Sequence, residues 1–261
     1  VQEHFSFEIA ATSQTINFYV LIPSYLKDFI EGQIYAQYPS VEISVTRDYS
    51  NVSLENRALA ATELLLTKKD VYPIKTFANF DVDPLAGITG VLSKIEEGEV
   101  LSIQAVLSPI DESWQKEGLD YVKAIKEGKD LKPAPSFGHM FKTHSFGVLK
   151  DIGSGIAMGL AGTTPAEKKE EKKEVKLSGP EEIALKGIET KVVKLGYMVS
   201  MRLMAIAPSA SIAQTRLESA LGAFKQFNTN NLNSFDFSDT ITDPGYLRSF
   251  RSRRMTQTPF R

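Results

Sequence analysis

Cysteine is absent from the 261 residues. This excludes disulfides, thiolate metal sites and cysteine nucleophiles, and it fits a reducing compartment. No apolar run approaches the roughly 18–20 residues needed to cross a bilayer. Histidine occurs three times. His139 and His144 lie too far apart in sequence to stack on one helical face, and His4 is isolated, so no set with metal-ligand spacing forms. The formal net charge of −2 gives the whole chain no electrostatic mandate for nucleic acid.

Nucleotide loops are lacking too. A P-loop requires G-x-x-x-x-G-K-[ST]. Here the Gly128-Lys129 pair is followed by Asp130, and Lys123 stands where the first glycine belongs. Gly153-Ser154-Gly155 opens like a dinucleotide fingerprint, but Met158 replaces its third glycine. Acids such as Asp81 and Asp83, or Glu96, Glu97 and Glu99, fall in or beside turns, where carboxylates cap and solubilise. The sequence therefore offers no catalytic residue, no cofactor-binding residue and no metal ligand.

What is present is a strand that ends at proline and hands over to a helix, used three times. The copies are Phe18-Tyr19-Val20-Leu21-Ile22-Pro23, Ala105-Val106-Leu107-Ser108-Pro109 and Met204-Ala205-Ile206-Ala207-Pro208. Proline removes a strand donor yet suits the first turn of a helix. A polar helix-starting residue follows each copy: Ser24, Asp111, and Ser209 or Ser211.

The alternation of residues 4–10 and 15–21 about Thr12-Ser13-Gln14 predicts a hairpin. A helix over 25–38 follows, with Leu26, Phe29, Ile30 and Ile34 at helical spacing. Beyond Pro39, Val41, Ile43 and Val45 alternate as a third strand. Strands are expected over 58–66, 100–107 and 194–206, and at Phe235 and Phe237. Helices are expected over 84–95, 111–126, 181–191 and 211–227. The first and last units match in outline: strand, proline, amphipathic helix with late aromatics, polar turn, short strand. These elements predict an α+β fold, a two-layer sandwich of mainly antiparallel sheet with helices on one face, ferredoxin-like in kind.

Four segments are expected. Residues 1–128 form an α+β lobe. Residues 129–178, with Gly153, Gly155, Gly159, Gly162 and a Lys/Glu run, form a linker or excursion. Within it the apolar stretch from Ile152 to Leu160 reads as loop, or alternatively as a peripheral membrane or partner contact. Residues 179–240 form a lobe that completes or repeats the first. Residues 241–261 form a basic connector to a following domain, since the chain, opening without an initiator Met, reads as a fragment. From Gly245 onward there are five arginines and no acid. Arg248, Arg251, Arg253 and Arg254 are candidate contacts to a phosphate backbone, giving non-specific DNA binding, or connector residues that pair with acids of that domain.

Three segments together carry a family resemblance. They are Tyr35-Ala36-Gln37-Tyr38-Pro39; Tyr72-Pro73-Ile74-Lys75-Thr76-Phe77 with Asp83-Pro84-Leu85-Ala86-Gly87; and Gly222-Ala223-Phe224-Lys225-Gln226-Phe227-Asn228 through Leu232-Asn233. They resemble the region before the motor in TraG/TraD-type conjugative coupling proteins and HerA-like, type IV secretion DNA-translocating ATPases. In such proteins a RecA-like hexameric motor follows, whose Walker motifs bind ATP and Mg²⁺; no such residue carries over to this chain. The resemblance implies a non-catalytic accessory or assembly region. It would be cytoplasmic, at the inner face of the membrane, and would associate with itself or with other secretion-system subunits. The alternative is a free-standing protein-interaction module with no attached motor.

Overall fold

The computed structural model describes residues 4–127, 177–256 and 258–261. Strands β1 (Phe5–Thr12) and β2 (Thr15–Leu21) form the expected hairpin. Its two turn residues, Ser13 and Gln14, have φ of 48° and 64°. Positive φ at both positions defines the turn whose twist matches that of its strands. With β3 (Ala58–Leu66), β4 (Val100–Pro109), β5 (Tyr197–Ala207) and β6 (Phe235–Phe237), they build one six-stranded sheet in the order β2-β1-β4-β5-β3-β6. Every neighbouring pair is antiparallel.

The sheet decides between completing and repeating. β5, from the later part of the chain, lies between β4 and β3 from the earlier part, so both parts share one sheet. The helices are α1 (Lys27–Gln37), α2 (Pro84–Leu92), α3 (Ser113–Lys126), α4 (Gly179–Val192), α5 (Ala210–Phe224) and α6 (Tyr246–Arg251). α2 and α5 form the helical layer of a two-layer α+β sandwich, and the short α6 lies on the opposite face, where no helix was expected. All three strand-proline-helix units form. Ser209 caps α5 by accepting from the Ile212 N–H at 3.3 Å, and Asp111 accepts from the Ser113 N–H at 2.9 Å.

On one face, Leu101, Ile103, Leu203, Ala205, Leu64 and Leu66 meet Ile88 and Leu92 of α2 and Ala213, Leu217, Ala220 and Phe224 of α5. Alanines at two of the α5 positions let its backbone approach the sheet. On the other face, Ala10, Leu59, Ala61, Met204 and Ile206 lie beneath Tyr49, Leu247 and Phe250. Both faces are covered, which is why β3 and β5 are apolar on successive residues. A third cluster joins α3 to α4 through Trp114, Val122, Leu185, Ile188 and Val192. Gly118 permits that approach, since a Cβ there would run into the Val192 side chain.

Two local expectations fail. Residues 41–45 form no strand. Alternation needs a neighbouring strand to supply ladder bonds, and none lies beside this segment. α1 forms as expected but buries no side chain, so its apolar spacing does not make a core face. His139, His144, Gly153 to Gly155 and the stretch from Ile152 to Leu160 lie outside the described residues, as does nearly all of 129–178.

Candidate functional site

The basic end turns back onto the sheet. Residues 241–261, expected as a connector, carry α6, which packs on the face opposite α5, while Phe260 packs against the core on the α5 side. Ile241 bridges Ala61 and Phe260 bridges Val199. The four candidate arginines are thereby separated. Arg253 is buried at 4% exposure. Its Nε donates to Glu8 Oε1 at 2.9 Å, its Nη2 donates to Asp48 Oδ1 at 3.0 Å, and Nη1 also meets Asp48. Arg251 donates from Nε to the Ser50 carbonyl at 2.8 Å and from Nη2 to that of Val52 at 2.6 Å. Arg248 and Arg254 remain exposed. Sequence density of arginine thus corresponds to two anchors and two surface cations.

The anchors have a partner that spacing along the chain does not reveal. Register places Tyr19, Glu8, Gln104, Arg202 and Glu63 side by side across five neighbouring strands. Glu8, Gln104 and Arg202 are essentially inaccessible, at 2%, 0% and 1%. Arg202 Nε donates to Gln104 Oε1 at 2.7 Å, and Gln104 Nε2 reaches the Phe250 carbonyl at 3.3 Å, tying α6 to the sheet. The Arg202 guanidinium also lies 5.3 Å from the Phe250 ring centre. Burial by itself would raise the Glu8 pKa. Bonds from Arg253, Ser6 and Tyr49 outweigh it and hold the carboxyl below its ordinary value. Asp48 is lowered by Arg253 and Ser50 against the same burial. Glu63, with only Tyr246 and Arg202 opposing its desolvation, is raised instead. The row is a structural network in which Glu8 and Arg202 are sealed from solvent and Glu63 is half-buried; Arg202 Nη2 is buried without a hydrogen-bond partner.

The accessible candidate lies at the opposite edge. β2 ends the sheet, and its residues Thr15 to Leu21 include no charge. Phe18 is 64% exposed, and Phe7 on the adjacent strand is 47% exposed. Both lie on the face that carries α2 and α5, toward the end of the hairpin away from Ala11 and Ile16, which join that core. Beyond Pro23, α1 exposes Phe29 and Tyr35, and Tyr38 just after it is exposed as well. An uncharged edge strand flanked by exposed aromatics lacks the features that ordinarily discourage edge-to-edge pairing. Sequence reasoning placed these aromatics in a hairpin and an amphipathic helix and assigned them no surface role. The one available signal was the absence of Lys, Glu or Pro within β2.

Among the described residues, no group of three His, Cys, Asp or Glu side chains could hold a metal ion. Nor is any described helix long and apolar enough to cross a membrane. Two of the three segments that carry the family resemblance meet in space. Asn233 donates its N–H to the Pro73 carbonyl at 2.8 Å, Gln226 Nε2 reaches the Pro84 carbonyl at 3.1 Å, and the Phe80 and Phe227 rings sit 5.2 Å apart. The segment 35–39 stands apart, on the exposed side.

The class defined by this fold is a two-layer α+β domain on a six-stranded antiparallel sheet. The chain belongs to the family described as domain of unknown function (DUF8128), whose model matches residues 1–257. No curated protein and no solved structure matches the chain.

Proposed function

We propose that this chain is a non-catalytic assembly region that joins copies of itself through the β2 edge and the apolar face of α1. The carrying observation is that uncharged edge, with Phe7 and Phe18 exposed beside it. A two-fold pairing of β2 with β2 of a second copy is self-complementary: it satisfies edge N–H and C=O groups, covers both aromatic strips and brings no like charges together. The resemblance of 35–39, 72–87 and 222–233 to the pre-motor region of type IV secretion-like, DNA-translocating ATPases supports a setting. There, subunit association at the inner face of the membrane would help assemble a motor whose ATP chemistry is performed elsewhere. Arg248 and Arg254 are the cations available for non-specific contact with DNA in that setting.

Sedimentation of the chain across a concentration series tests the assembly reading. A concentration-dependent dimer is expected, and Phe18→Lys should abolish it without changing the melting temperature. A native chain that stays monomeric at about 100 μM, in the range where weak specific pairs form, would remove the reading. The motor setting is tested separately by reading the gene downstream of Arg261 for a G-x-x-x-x-G-K-[ST] motif. Robust ATP turnover by the chain alone would overturn the non-catalytic assignment.

A further inference from the structure

β5 has a strand slot that its neighbours leave open. β3 pairs with it over Ala58↔Ala207 to Glu63↔Arg202 and then departs to pair with β6. Beside Val199 the vacated side is filled by Phe260, whose N–H donates to the Val199 carbonyl at 2.9 Å while Val199 returns a bond at 2.7 Å. The next residue, Arg261, lies in a cleft between Asp70 and Glu117 and itself walls the space of about 250 Å³ that remains there beside Lys69, Trp114 and Tyr121.

Within that cleft Arg261 is held like a ligand. Its Nε and Nη2 form a fork on Asp70, at 2.7 and 3.3 Å, and Nη1 donates to Glu117 Oε2 at 2.8 Å. Lys191 Nζ donates to the Arg261 carbonyl at 2.6 Å, so the backbone of the segment is read as well as its side chain. The walls are fixed independently of the segment. Buried Asn233 shapes the loop that carries Asp70, accepting from the Lys68 N–H at 2.9 Å and donating to the Lys69 carbonyl at 3.0 Å. The Tyr72 and Tyr121 hydroxyls meet at 3.0 Å, and Trp114 is packed between α3 and α4. Asp120 adds a further acid to the lining.

A backbone slot beside Val199, a seat for the Phe260 ring against Phe235 with ring centres 6.1 Å apart, and an acidic fork on Arg261 follow in succession, and they match one kind of partner by shape and charge. We propose that this cleft is a receptor for an extended segment of another protein that presents an aromatic residue followed by arginine, and that residues 258–261 occupy it in cis. The inference does not depend on the β2 edge, which lies at the far side of the sheet.

Trp114 is the single tryptophan of the chain, so it reports on the cleft directly. The test uses the full chain carrying Phe260→Ala and Arg261→Ala, with a capped peptide Thr-Gln-Thr-Pro-Phe-Arg added. Saturable change in Trp114 emission is expected for this variant, with at least tenfold weaker response in the native chain, whose own segment competes. Replacing the peptide arginine by glutamine, or adding Glu117→Gln to the variant, should each weaken binding at least tenfold. A folded variant that shows no saturable response, or that binds both peptides equally, overturns the proposal. So does a native dimer that vanishes with these substitutions, which would make a second copy the occupant. If the double variant fails to fold, hydrogen exchange on the native chain decides. Excess peptide should accelerate exchange at the Phe260 amide while Val199 stays protected, and no change at Phe260 overturns the assignment.

Discussion

The first and last strand-proline-helix units use the same local grammar and meet opposite fates. In the last, β5 runs through the middle of the sheet and α5 buries Ala213, Leu217, Ala220 and Phe224 against it. In the first, β2 is the outermost strand and α1 buries nothing. Each helix has apolar residues at helical spacing, so periodicity alone does not separate them. Position in the sheet does. A central strand has neighbours on both sides whose side chains make a surface wide enough for a helix to cover, whereas an edge strand offers half of that. Residue size agrees: α5 places alanine where it must approach closely, and α1 places Phe29, Ile30 and Tyr35.

The sharpest way to break this contrast is to place a charge on each helix. Leu217→Asp puts an uncompensated carboxylate at a fully buried position and should abolish cooperative unfolding. Phe29→Asp, at 61% exposure, should leave the melting temperature within a few degrees. Similar losses in a circular dichroism melt would show that α1 is part of the core.

The next effect concerns what ties the first unit to the rest. Arg253→Ala leaves Glu8 buried with its cation removed and should cost about 3–5 kcal/mol in urea unfolding. A loss below about 1 kcal/mol, the range of exposed ion pairs, would mean the cluster does not anchor β1.

A pH series sharpens the same point. Glu8 and Asp48 have folded values below their ordinary ones. The stability they contribute is therefore complete above the ordinary carboxylate value and is lost as pH falls through the lowered one. In Arg253→Ala the cation opposing Glu8 burial is gone, so the Glu8 value should rise; its ionisation then opposes folding above the ordinary carboxylate value, and this penalty should be relieved, rather than stability lost, as pH falls through the raised value. Parallel pH profiles for native and variant would contradict this.

The smallest effect belongs to the exposed cations. Arg248→Ala with Arg254→Ala should change stability by about 0.5 kcal/mol or less, as surface substitutions do. Anisotropy with labelled DNA then isolates their role. Any binding should fall with these two substitutions and with added salt, and binding that survives them places the DNA contact elsewhere.

Much of the fold was legible because its signals are local. Proline at the end of each of three strands, the polar helix-starting residues Asp111 and Ser209, and the period-two alternation before and after Ser13-Gln14 act within a few residues and gave their elements near the observed bounds. Val41, Ile43 and Val45 misled for a related reason: alternation records a preference for extended backbone, and a strand also needs a neighbour. The candidate surfaces were less legible. Arg253 is read from sequence as one of a basic run, yet its role is set by Glu8 and Asp48, more than 200 residues away. The cleft gathers Asp70, the Trp114 and Glu117 of α3, and Arg261 from three separate parts of the chain, with nothing in the spacing to link the three.

By itself, then, the sequence determined most of the strands and helices, the one over 41–45 excepted, and that they combine into an α+β fold, because backbone sterics, capping and side-chain periodicity are short-range. Only the tertiary structure decided which amphipathic helix is core and which is surface, and which arginines are sealed and which face water. Burial depends on what lies across the sheet, and here that neighbour comes from the other end of the chain.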